Sequence, residues 1–592
     1  MGEVIGSPTF AEVAKIPASD ERQFRTEVAV DGAVLATEVE LPPTGGPSPA
    51  SLFRTPYGRE NVFPDPSALP GNGVALVNQD VRGRWGSTGT FALGATDAED
   101  GARAVEWLTR QPWCDGRVAG RGLSYPGLMQ WAMALGRPRG LVCIAPMMAP
   151  AFWRGMSLRE GGALQLALAA HWLTRQAAEA PDVPDHLRAE LFAEALEFEQ
   201  VVVPSTDGSG RWETSLERSL AHHALSGEPL ADPRRFRGTE PFASIWRRLF
   251  ESPDMGNWFT DPGPAAASRV DVPVLVMAGW YDVWSHEATV GFRHLQETSS
   301  PGLTEQHRLV VAPYGHGTGW AGELPSPADA DRFACDLDIR WSLEWLFDRD
   351  RDLRDLAPVT YFCYNAGWRS AVAWPPPEVR PQRWFIDCDV DALSPTTAPG
   401  LSKATFVYDP SNPVPSRGGR ALGLPAGPCR QDGITAGARP DVLSFDSAPL
   451  RQDVVITGVV EARLTVTSDA AHTDFTAKLI DVHPDGVAYS ICDGICRTRF
   501  RDGRPSRPLS RDLPTEVRIH LGSIAYAVAA GHRLRLDISS SNFPWYDRSP
   551  NVDAPEGSVT SADWRPAEQV VWSGPEHMSF IDMTVMSGPN SD

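Results

Sequence analysis

The run Val118-Ala119-Gly120-Arg121-Gly122-Leu123-Ser124-Tyr125-Pro126-Gly127 passes from a short apolar segment, through glycines and a serine, into the helical stretch Leu128 to Leu135. Small neighbours permit a turn too tight for ordinary side chains, and the serine at its apex is presented at the start of a helix. A strand-to-helix turn of this kind reads as a nucleophile elbow. The spacing is G-x-S-x-x-G, with the second glycine one place later than in the common pattern. A serine between glycines is also what an ordinary turn looks like, so its surroundings decide.

Those surroundings alternate between strand and helix. The runs Ala50 to Phe53, Val74 to Val77, Leu141 to Ile144, Val274 to Met277 and Leu309 to Ala312 are each bounded by Gly, Pro or Asp. Each is too short for a buried helix and fits a strand of a mostly parallel sheet. Asp97 to Arg110 reads as a helix with Ala104, Val105 and Leu108 on one face. Glu27 to Leu41 alternates around Asp31-Gly32, the pattern of two antiparallel strands. The fold class expected is α/β.

Between Ile144 and Val274 lies more chain than one crossover helix needs. Residues 153–267 are rich in Ala, Leu, Glu, Arg and Trp at helical spacing (Leu164, Leu166, Leu168; Leu191, Phe192, Leu196, Phe198), starting at Trp153. This predicts an inserted helical cap, and a long insertion beside a sheet is usually a lid over a site. After Asp350, Pro and Gly rise and short alternating strands appear, as in Val454 to Val466, Phe475 to Val482, Glu516 to Leu521 and Arg533 to Ile538. That is an all-β sandwich pattern. The expected division is 1–152 with 268–352 for the α/β domain, 153–267 for the cap and 353–592 for the all-β domain.

Composition narrows the function. With 592 residues two or three domains are expected, and 42% apolar with 22% charged residues describes an ordinary globular chain. A formal net charge of −21 opposes nucleic acid as a partner. Met1 to Ser7 carries no basic run leading into an apolar stretch, and no run approaches the length of a membrane span. Eight scattered cysteines read as reduced thiols, so a cytoplasmic location without membrane association is expected, and a homodimer is compatible with the composition. Cys492 and Cys496 resemble half of a metal site but have no second pair nearby, so neither a metal nor another cofactor is expected.

A serine hydroxyl near its ordinary pKa needs a base to take its proton and a carboxylate to orient that base. In the α/β-hydrolase arrangement these follow in the order Ser, Asp or Glu, His, each at the end of a strand. Val274 to Asp282 supplies Asp282 at such a position, and Arg308 to Gly317 supplies His316. Among thirteen histidines the alternatives are weaker: His286 lies four residues past Asp282, His294 falls in a helical stretch and His307 precedes its strand. The tetrahedral intermediate needs donors for its oxyanion, one being the backbone N–H of Tyr125 after the elbow. The second normally comes from the loop after the third strand. That loop reads Arg54-Thr55-Pro56-Tyr57-Gly58-Arg59 and lacks a glycine run, which leaves the Tyr57 phenol as substitute, although the position also suits a core tyrosine.

These segments resemble the group of cocaine esterases, glutaryl acylases, α-amino-acid ester hydrolases and X-Pro dipeptidyl-peptidases. The matching stretches are Arg54 to Tyr57, Asp80 to Gly89, Val105 to Leu108 with Gln111 to Gly116, the Ser124 elbow, Gly279 to Asp282 and Gly315-His316. The resemblance implies an α/β-hydrolase domain with an inserted helical cap and a C-terminal jelly roll. It also implies Ser124 as nucleophile, His316 as base, Asp282 as its orienter, and Tyr57 with Tyr125 as the oxyanion hole. It places an acyl pocket between the three parts, with Trp284 and Trp172 as wall residues by position and the segment Gly418 to Gly423 near its mouth.

Relatives that accept α-amino acyl groups carry acidic residues just after the orienting Asp, whereas this chain reads Asp282-Val283-Trp284-Ser285. The expected substrate is therefore a small-molecule ester or amide with an apolar or aromatic acyl group. The same machinery could hand the acyl group to an alcohol or amine as an acyltransferase, or carry out dipeptidyl-peptidase-like acyl transfer; product partitioning with added nucleophile separates hydrolysis from transfer. A non-enzymatic binding protein would require all three motifs to be vestigial.

Overall fold

Strands that are buried on both faces read as unbroken apolar runs, and those runs form the centre of the first sheet. The computed structural model describes residues 22–151, 158–180, 183–191, 239, 241–251, 264–317, 319–333, 336–349, 351–422, 424–435, 437–502 and 506–586. Among these, one sheet comprises β1 (Gln23–Val30), β2 (Ala33–Glu40), β3 (Ser48–Thr55), β4 (Ala75–Asp80), β5 (Cys114–Leu123), β6 (Leu141–Met147), β7 (Leu275–Gly279), β8 (Arg308–Ala312), β9 (Val359–Cys363) and β10 (Gly367–Ala371). Their order is β1-β2-β4-β3-β5-β6-β7-β8-β9-β10. The strands from β4 to β9 in that order are mutually parallel, while β1 with β2, β2 with β4, and β9 with β10 pair antiparallel. Every residue of β7 and β8 is buried, whereas β2 buries alternate residues.

Helix α1 (Asp97–Leu108) buries Ala104, Val105 and Leu108 as its spacing predicts. Helix α2 (Tyr125–Leu135) is buried on all sides, with Trp131 fully enclosed. β9 and β10, which fall within the 353–592 expected for the all-β domain, complete the first sheet. A short parallel edge strand followed by a hairpin has the same length and alternation as a sandwich strand, so composition alone does not separate them.

Helices α3 (Leu166–Ala178) and α4 (Phe242–Glu251) of the insertion pack together through their apolar faces. Leu164, Leu166, Leu168 and Leu191 are buried, while Trp153, Phe192, Leu196 and Phe198 lie outside the described residues. Before α3 the chain forms a small hairpin, Arg159–Glu160 with Ala163–Leu164, that no periodicity announced. No helix among the described residues is long and apolar enough to cross a membrane.

From Val379 to Met586 the strands join one all-β network. Its spine is Val454–Ser468, which pairs with Thr515–Val528, Ala567–Ser573 and Phe580–Met586 and turns Val460, Ala462, Leu464 and Val466 inward. Cys492 and Cys496 lie on Ala488–Arg497 as buried free thiols.

A buried ion cluster fastens the insertion to this β domain. The Arg497 guanidinium binds Asp474 at 2.9 and 3.0 Å, Asp547 at 2.8 Å and Glu556 at 2.9 Å. Glu556 also pairs with Arg159 of the hairpin at 2.9 Å, and Asp547 accepts the N–H of Leu164 at 2.7 Å. The Arg497 N–H donates to the Gly161 carbonyl at 2.8 Å. Burial raises the Asp474 carboxyl to about 6 despite the neighbouring guanidinium. Removing one partner from such a cluster strands the remaining charges in a dry interior. Arg497→Met is therefore expected to lower stability by about 3–5 kcal/mol, read by guanidinium denaturation; a loss below about 1 kcal/mol, the range of exposed pairs, would show that the cluster does not hold the two parts together.

Candidate active site

Ser124 ends β5 with φ 66° and ψ −127°, a backbone that side-chain-bearing residues rarely adopt. Its N–H donates to the Met147 carbonyl at 2.9 Å, and its own carbonyl accepts from Leu128 at 3.0 Å, the opening bond of α2. The two glycines permit the crossing of strand and helix. A Cβ on Gly122 (φ 134°) would lie 2.5 Å from Pro126 Cβ, and one on Gly127 would lie 2.8 Å from Ala149 Cβ and 2.9 Å from the Met147 carbonyl. The late glycine thus marks where α2 presses on the end of β6. Pro126 fills the intervening place in the first helical turn, where no N–H is needed.

The parallel register of β7 and β8 sets Gly279 opposite Ala312 and brings the loops that follow them side by side. Asp282 lies in the first loop, almost fully enclosed, and its Oδ1 accepts the N–H of Trp284 at 2.9 Å. His316 lies in the second. Its Nδ1 is 2.5 Å from the other oxygen of Asp282, and its Nε2 is 2.9 Å from Ser124 Oγ. A chain of short hydrogen bonds therefore runs from a buried carboxylate through an imidazole to a hydroxyl.

Tyr57, in the loop after β3, turns its hydroxyl toward Ser124 and accepts the Trp172 Nε1–H at 3.1 Å. Burial raises the phenol pKa, and these hydrogen bonds pull it partly back. Trp172 stacks on the Tyr125 ring, with centroids 6.1 Å apart and planes at 11°. The Tyr125 hydroxyl donates to Asp97 at 3.1 Å, and burial pushes that carboxyl up to about 6 against the opposing charge of Arg54.

The sequence candidates Ser124, Tyr57, Tyr125, Trp172 and Trp284 line one cavity. Trp284 meets the His316 ring edge-on at 5.2 Å. The remaining described lining is Leu128, Pro150, Leu158, Leu168 and Leu422. Sequence reasoning did not single these out as pocket residues, because leucines facing a cavity and leucines facing a core obey the same periodicity. Leu422 belongs to the Gly418 to Gly423 segment expected at the mouth; Gly423 lies outside the described residues. The cavity's free volume is about 20 Å³, room for about one water molecule.

The profile described as X-Pro dipeptidyl-peptidase (S15 family) matches residues 31–318, and that of the X-Pro dipeptidyl-peptidase C-terminal non-catalytic domain matches 352–582. The cocaine esterase of Rhodococcus sp. (strain MB1 Bresler) is 31% identical over 589 residues, covering 94% of this chain and 97% of that protein. Among solved structures, an aminopeptidase from a Thaumarchaeota archaeon superposes with TM-score 0.78 at 23% identity, covering 98% of this chain and 99% of that one. An α-amino acid ester hydrolase superposes with TM-score 0.71 at 20% identity and the same coverage. The fold is thus the α/β-hydrolase fold with a C-terminal non-catalytic β domain.

The other candidate histidines have partners of their own. His286 lies 3.3 Å from Ser523 of the β domain and 4.2 Å, ring to ring, from His520. His294 pairs with Glu297 along its helix. His307 is fully enclosed, accepts the Val274 N–H at Nδ1 and meets Ser299 at Nε2, so the ring is held neutral. Burial, aided by Arg308, pushes its pKa down to about 4. The unfolded chain protonates this imidazole near 6.5 and the folded one only near 4, so its contribution is intact above 6.5 and falls as pH drops through that window. Between pH 7.5 and 4.5 wild type is expected to lose on the order of 2–3 kcal/mol more stability than His307→Gln, measured by urea unfolding at both pH values; equal losses would contradict the assignment.

Proposed function

Because the chain belongs to the X-Pro dipeptidyl-peptidase (S15) family of serine hydrolases, we propose that it cleaves an ester or amide of an apolar or aromatic acyl group through an acyl-enzyme on Ser124. The observation that carries this reading is the aligned run Asp282, His316, Ser124, with its hydroxyl opening on an apolar cavity. His316 Nε2 takes the Ser124 proton as Oγ attacks the acyl carbon, and returns it to the departing alcohol or amine. A water then repeats the sequence, leaving the free acid. Asp282 holds the imidazole in the tautomer that presents its Nε2 lone pair to the serine and stabilises the imidazolium that forms.

The oxyanion assigned to this reaction takes the Tyr125 N–H and the Tyr57 hydroxyl. The Tyr125 N–H lies in the first turn of α2, where backbone donors have no helical partner. Tyr57 accepts a hydrogen bond from Trp172 and turns its own hydroxyl to Ser124, beside the place where the oxyanion would form. The substrate class rests on the lining: none of the described residues around the cavity carries a charge, so an α-ammonium would be buried without a counterion. Apolar walls discriminate by only about 1–3 kcal/mol per methylene, so related acyl groups share the site.

A nitrophenyl ester should give a burst of nitrophenol when deacylation is the slower step, and a fluorophosphonate should label Ser124. Ser124→Ala should abolish both. Tyr57→Phe should lower turnover roughly 10²–10³-fold if its hydroxyl meets the oxyanion. Folded protein that resists labelling would overturn the reaction; unchanged turnover in Tyr57→Phe would overturn the role of the phenol alone.

A further inference from the structure

We propose that Asp481, His483 and His532 form a binding site for a divalent transition-metal ion, zinc being the reference case, at one end of the β domain. Strand Asp474–Val482 pairs antiparallel with Arg533–Ser539, and Val482 faces Arg533. The next position along that register sets His483, where the chain leaves one strand, against His532, where it enters the other. The two imidazoles are 4.3 Å apart between ring centres.

The Asp481 carboxylate lies beneath them, with no exposed surface. Its Oδ1 is 2.8 Å from His532 Nδ1, and its Oδ2 is 3.6 Å from His483 Nε2. One ligand atom from each of the three residues lies within 4.8 Å of the others, the one such group among the described residues. Zinc ligands at tetrahedral angles stand roughly 3.3 Å apart, a spacing that the two histidine-to-carboxylate distances bracket. Two imidazoles and a carboxylate form a donor set suited to zinc and its neighbours, and harder cations that prefer oxygen fit it poorly.

A hydrogen-bonded Asp–His pair would account for His532 but not for His483. The His483 Nε2 is shielded from solvent and has no hydrogen-bond partner, Asp481 Oδ2 standing off at 3.6 Å, an arrangement that costs free energy unless a ligand satisfies that nitrogen. The Tyr526 hydroxyl donates to Asp481 Oδ2 at 3.1 Å, which orients the carboxylate in the manner of an outer-shell partner. The site stands apart from Ser124 and shares no residue with the cavity, so its effect is on the β domain's stability.

The test uses the full chain without a polyhistidine tag, stripped with chelator and then equilibrated with zinc. After gel filtration, elemental analysis should find one zinc per chain more in wild type than in His483→Gln, a partly exposed position, the circular dichroism of the two being the same. Cobalt should give visible absorption bands in wild type that His532→Gln lacks. Zinc should raise the unfolding midpoint of wild type and not of His483→Gln, while ester hydrolysis stays equal in both. Wild type retaining no more zinc than His483→Gln, or His532→Gln retaining cobalt absorption unchanged, would overturn the site.

Discussion

A serine fixed in a strained backbone governs this structure. Such a conformation costs about 1–3 kcal/mol and persists only where its neighbours leave no alternative. Gly122 and Gly127 let helix and strand approach closely, and the bond from Ser124 to Met147 ties the turn to the adjacent strand. The sheet does the rest. Because β5 through β8 run in one direction, Ser124, Asp282 and His316 emerge at the same edge from segments far apart in sequence.

The polar tips of the wall aromatics explain how tyrosines and a tryptophan can line an apolar cavity. Tyr125 sends its hydroxyl to Asp97 and presents its ring face to Trp172. Trp172 spends its N–H on Tyr57. Of these groups only the Tyr57 hydroxyl remains turned to the serine, so the polarity of this wall is concentrated beside Ser124.

Much of this was legible from local pattern. Ser124 follows directly on a buried strand, Asp282 and His316 lie in the loops just after two others, and a buried strand announces itself as an apolar run between turn residues. Tyr57 was legible through what its loop lacks. The pocket leucines were not, since facing a cavity leaves the same signature as facing a core. The ion cluster was invisible for another reason: Arg159, Asp474, Arg497, Asp547 and Glu556 lie on segments that meet only in three dimensions. That β9 and β10 would join the first sheet was not legible, because they share the texture of the strands that follow.

The anchoring of the hairpin before α3 bears on how the protein comes into being. A nascent chain contains Ser124, Asp282 and His316 once residue 316 has been translated, yet the wall beside them is then unfinished. Leu158 adjoins a hairpin whose fastenings, Arg497, Asp547 and Glu556, are translated much later, and Leu422 comes between. Arg420, two residues before that leucine, is itself ion-paired to Glu160 of the hairpin. Ser124, Asp282 and His316 are thus translated early and the wall of their cavity is completed late, so a polypeptide that stops short of residue 422 holds these three residues without the full described lining.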